Sequence, residues 1–140
     1  LLRISMAQYD GYIIAWKTKF ESPMLRPSSY IKQNINRYYI PEYGAAPVPE
    51  FVSEDALIYS ACSEILGHYF GYRTPFIDFT QSGRLDLRED RKYFESFNDM
   101  AKEASYSDLL GGIHFRTSID AGFQMGYDLA QNVLGLDIKE

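Results

Sequence analysis

Three short stretches carry side chains that could form one composite site, with cations, a helix start able to bind an anion and glycines that let backbone approach a ligand. The first is Lys19-Phe-Glu-Ser-Pro-Met-Leu-Arg26-Pro27, with two cations held near a helix end because Pro23 and Pro27 cannot continue a helix. The second is Pro49-Glu-Phe-Val-Ser53-Glu54-Asp55, at the start of a helix whose free amides favour negative charge. The third is Ser107-Asp108-Leu-Leu-Gly111-Gly112-Ile-His114-Phe-Arg116. There the two glycines let backbone approach a ligand closely. Taken one at a time these are ordinary features. A Lys and an Arg seven residues apart are usually surface charges, and a lone His is usually structural.

The elements that must position them are helices. Ile4, Ala7, Gly11 and Ile14 repeat at three- and four-residue spacing, which predicts a helix over residues 1–20 that the prolines end. A short helical turn is expected over 28–36 and a loop from Pro41 to Pro49. Ser53 can accept from the first free amides of a helix that runs to Gly71, with Glu54 and Asp55 at its positive end and Ala56, Tyr59, Cys62, Leu66 and Tyr69 inward. Residues 72–90 read as an irregular excursion with room for a short hairpin. A helix over 91–104 with Phe94, Phe97, Ala101 and Ala104 inward, and a last helix over 119–134 capped by Ser118, complete an all-α bundle. No repeat or composition break divides it, so the expectation is a single helical domain over 1–140.

The order and spacing of the three stretches resemble those of the vanadium-dependent haloperoxidase and type 2 phosphatidic acid phosphatase superfamily, whose pattern is K-x6-R-P, then P-S-G-H, then S-R-x5-H-x3-D. Lys19 and Arg26-Pro27 match the first element, and Gly111-Gly-Ile-His114-Phe-Arg116 with the following Ala121–Ala130 is similar to the haloperoxidase form of the third. The 24 residues before Val52 and the 51 between Asp55 and Ser107 are gaps of the size the family shows. The resemblance implies an α-helical bundle with a vanadate or phosphate pocket. Lys19, Arg26 and Ser53 would bind the oxyanion, and His114 would bond to vanadium or attack phosphorus. It also implies the C-terminal part of a longer chain, and an exported place in a bacterial cell envelope or outside the cell.

Several positions depart from the pattern. Val52-Ser53-Glu54-Asp55 replaces P-S-G-H, so Glu54 stands where the Gly would be and Asp55 where the acid–base His would be. Asp108 replaces the Arg of the third element, and Ser118 replaces its final Asp. The family's fixed charge of about +3 falls to about −1. Each carboxylate within ~4 Å of a bound oxyanion would oppose it by ~4 kcal/mol at an effective dielectric near 20. Losing a charged clamp would cost ~2–5 kcal/mol more. The expectation is therefore a catalytically degenerate protein with no cofactor, in which Asp55 and Asp108 pair with Lys19 and Arg26. The alternative is an active enzyme that uses vanadate, with His114 and Asp55 catalytic. A hard-oxygen cation site made by Glu54, Asp55 and Asp108 is disfavoured by the two cations beside it.

Composition narrows the classes. With 14 basic against 19 acidic residues, the chain lacks the positive balance a phosphate-neutralising nucleic-acid binder needs. No apolar run is long enough to span a membrane. Cys62 has no disulfide partner and sits in an apolar run, as a buried hydrophobe would. The 12 tyrosines are expected between packed helices, and a protein partner, another chain or the part preceding this one, is expected to use Tyr38-Tyr39-Ile40, Tyr43 and the 72–90 excursion.

Overall fold

In a computed structural model, residues 1–41, 43–44, 46–86 and 91–138 are described. Five helices and one short hairpin make up the fold: α1 (Leu2–Glu21), α2 (Pro27–Asn34), α3 (Glu54–Phe70), β1 (Phe76–Asp78), β2 (Lys92–Phe94), α4 (Phe97–Leu110) and α5 (Arg116–Leu134). The chain is mostly α-helical, and among the described residues no helix is long and apolar enough to cross a membrane.

Helix α3 is the centre of the bundle and packs against α1, α4 and α5. Its buried residues are therefore spread around it, from Ala56, Leu57 and Ile58 to Ser60, Ala61, Ser63 and Ile65, as befits a helix surrounded by others. The single inward face expected from the sequence was displaced: Tyr59 and Tyr69 point to solvent. Ten of the twelve tyrosines are exposed, so they are not wedges between helices. Helix α1 turns Ala7, Gly11, Ala15 and Lys19 inward, and the core joins Ala7 and Ala15 to Leu57, Ala61 and Ile65 of α3 and to Leu129, Ala130 and Val133 of α5.

The closest approach is between α3 and α5. A β-carbon on Gly126 would stand 2.1 Å from the Leu57 carbonyl oxygen, and one on Gly122 would stand 2.5 Å from that of Ser53. Only glycine permits backbones this close. The contact fixes the N-terminal turn of α3 against the first half of α5.

The last two helices differ in their bounds from the sequence reading. Residues 92–94 form a strand paired antiparallel with 76–78, where Phe94 faces Phe76, and the helix begins only after Ser96 accepts from the Asp99 amide at 3.1 Å. It then runs to Leu110, beyond the expected end at 104. The last helix begins at Arg116, and Ser118 lies within its first turn instead of capping it. The reason is a carboxylate from a distant loop, described next.

Candidate functional site

Ser53 caps α3 as its sequence context predicts, accepting from the Ala56 amide at 3.2 Å. That cap sets Glu54 and Asp55 on the first turn of α3. Lys19, on the last turn of α1, is fully buried and donates to the carbonyls of Pro49 and Glu50, both at 3.1 Å. Its third direction meets Glu54 Oε2 at 2.7 Å as an ion pair. The same oxygen lies 3.6 Å from His114 Nε2, is shielded from solvent, and makes no hydrogen bond of good geometry. Arg26, buried at the N-cap of α2, donates from Nε to the Val48 carbonyl at 3.0 Å and from Nη1 to the Ile113 carbonyl at 3.3 Å. Its Nη1 is also 3.3 Å from His114 Nε2.

Glu50 is the member the sequence reading passed over. Its side chain is wholly buried and accepts from His114 Nδ1 at 2.9 Å, from the Phe115 amide at 2.8 Å and from Ser118 Oγ at 2.6 Å. It thus serves as the cap that α5 lacks locally, a negative charge at a positive helix end. The same carboxylate holds the His114 imidazole. The one signal in the sequence is an acidic residue set between Pro49 and the apolar pair Phe51-Val52.

These contacts assign the ring. A guanidinium only donates, so in this geometry Nε2 accepts from Arg26 while Nδ1–H donates to Glu50. Protonation would turn Nε2 into a donor toward Glu54. Burial depresses the His114 pKa, yet Glu50 and Glu54 outweigh it and the net shift is upward. Burial likewise raises Glu54, but His114 and Lys19 bring it down to about 2. Glu50 is also lowered: burial opposes ionisation, and the bonds from His114, Ser118 and Phe115 prevail.

The expected pairing of acids with cations is corrected in its partners. Glu54, not Asp55, neutralises Lys19, and among the described residues Arg26 meets carbonyls and His114 but no carboxylate within ion-pair distance. Asp108 accepts from Ser53 Oγ at 3.4 Å. Asp55 and Asp108 both have raised pKa values, from burial first and then from neighbouring acids, Glu54 for Asp55 and Asp55 for Asp108. Among the described residues no three of His, Cys, Asp or Glu converge on a metal position. Ser107 is exposed and bonds its own helix at the Ala104 carbonyl.

A raised carboxyl pKa in the fold means that ionisation above the ordinary range costs stability. Asp108→Asn is therefore expected to raise stability at pH 7 by on the order of 1 kcal/mol. The gain should shrink as pH falls through the raised folded value and vanish below the ordinary 3.8, where the wild-type group is protonated in both states. Urea midpoints at pH 7 and pH 4 check it; a loss at pH 7 would show that the charge is needed.

Lys19, Arg26, Ser53, Glu54, Asp108, His114 and Ser118 thus lie in one connected cluster with Glu50, and Asp55 stands beside it. Residues 37–137 match the family described as the VCPO second helical-bundle domain. Among solved structures, a bacterial vanadium-dependent iodoperoxidase superposes with a TM-score of 0.84 at 32% identity, over 94% of this chain and 32% of that one. A holo-type bacterial vanadium-dependent chloroperoxidase gives 0.77 at 17% identity, over 94% and 34%, and an apo-type gives 0.72 at 20%, over 95% and 36%. The two chloroperoxidases speak for the fold alone. This chain spans about a third of the length of these solved relatives. No curated protein matches it. Taken with the site, the matches place the chain in the vanadium haloperoxidase family, as a member of its VCPO second helical-bundle domain group.

Proposed function

We propose that this chain is a haloperoxidase-like helical domain whose oxyanion pocket is filled by its own carboxylate, and that it acts as a binding or structural subunit, not as an enzyme. The observation that carries the reading is the position of Glu54. Its Oε2 stands against Lys19 Nζ and faces His114 Nε2, where an oxyanion held by those two groups would have to place an oxygen. Glu54 brings the negative charge with it, and Asp55 and Asp108 add two more carboxyls nearby. The residues present do not fit vanadate or phosphate. An exported location in a cell envelope belongs to the same proposal and rests on family likeness.

A second reading keeps an active enzyme with an altered acid–base group. It is favoured by the ring of His114, which Glu50 holds with Nε2 turned toward Arg26. Against it, Asp55 makes no hydrogen bond or ion pair among those described for the cluster, so nothing orients it for proton transfer.

Thermal melts with and without orthovanadate or phosphate separate the two. A bound oxyanion at a hundredfold excess over its dissociation constant would stabilise the fold by about 2.7 kcal/mol. The expected result is no shift for the wild type and a saturable shift for Glu54→Gly/Asp55→His/Asp108→Arg. A shift in the wild-type protein would overturn the proposal and make His114→Ala the next variant.

A further inference from the structure

We draw no further inference here: the strongest candidate, the cleft between α3, α4 and the β1–β2 hairpin with Cys62, Leu66, Phe97 and Met100 among its lining, carries nothing, because nothing in the structure shows what covers it in a chain that spans about a third of the length of its solved relatives.

Discussion

Replacing Glu50 by alanine is expected to cost about 3–5 kcal/mol of folding stability, because it removes the one acceptor shared by three buried donors. His114 Nδ1, the Phe115 amide and Ser118 Oγ would all lose their partner, and each unsatisfied buried group costs roughly 1–3 kcal/mol. Glu50→Gln should fall between, since it keeps an acceptor oxygen but turns an amide N–H toward a donor. The pH dependence supplies a second reading of the same variant. Glu50 and Glu54 have folded pKa values below the ordinary 4.5, the latter about 2, so their contribution is present above pH 4.5 and is lost as pH falls toward about 2. His114, raised from 6.5, contributes below pH 6.5 and loses its contribution as pH rises through its folded value. The wild type should therefore be most stable between these limits, with a steep acid limb that flattens in Glu50→Ala. Urea denaturation from pH 3 to pH 9 tests both statements. An unchanged midpoint would remove Glu50 from the centre of the cluster.

Gly126→Ala is expected to be comparably damaging for a steric reason. In an exposed helix the change would gain up to ~1 kcal/mol of helix propensity. Here the new methyl would stand 2.1 Å from the Leu57 carbonyl oxygen and 2.8 Å from Ser60 Cβ, and backbone cannot rotate out of the way. The two central helices must move apart, at a cost of about 3 kcal/mol or more. Gly122→Ala, at 2.5 Å from the Ser53 oxygen, should follow it closely and also disturb the capping turn that carries Glu54. Denaturation midpoints suffice to check the sign. Stabilisation by either alanine would show that α3 and α5 are not held in contact at these glycines.

Much of the architecture was readable because its signals are local. Ser53 caps the helix it precedes, the three- and four-residue repeat of Ile4, Ala7 and Gly11 lies on the inner side of α1, and the prolines after Glu21 stop it. The spacing of Lys19, Arg26, Ser53 and His114 led to one cluster. What stayed hidden depends on which way a side chain turns. Glu54 and Asp55 are neighbours, and adjacent helical positions point about 100° apart, so the sequence could not say which of them would meet Lys19. Glu50 was invisible for a related reason: its three partners lie more than sixty residues away, and no local pattern marks a carboxylate that will be wrapped by another helix's first turn. The Tyr93-Phe94 segment joined a strand because Phe76, sixteen residues before Lys92, offered it an edge.

The ion contact between Lys19 and Glu54 also governs the order in which this cluster could have been assembled or could be dismantled. Deleting Glu54 alone leaves a fully buried ammonium without the carboxylate it pairs with, and deleting Lys19 alone leaves a shielded carboxylate near the acids Asp55 and Asp108. Either single step leaves a half-pair, whereas the double change removes both charges together, so the two effects will not add. The same substitutions would thus be tolerated along one route and rejected along another. A chain that has taken on such a pair is held in it by the poor stability of its one-step neighbours, whether or not the pocket has any remaining use.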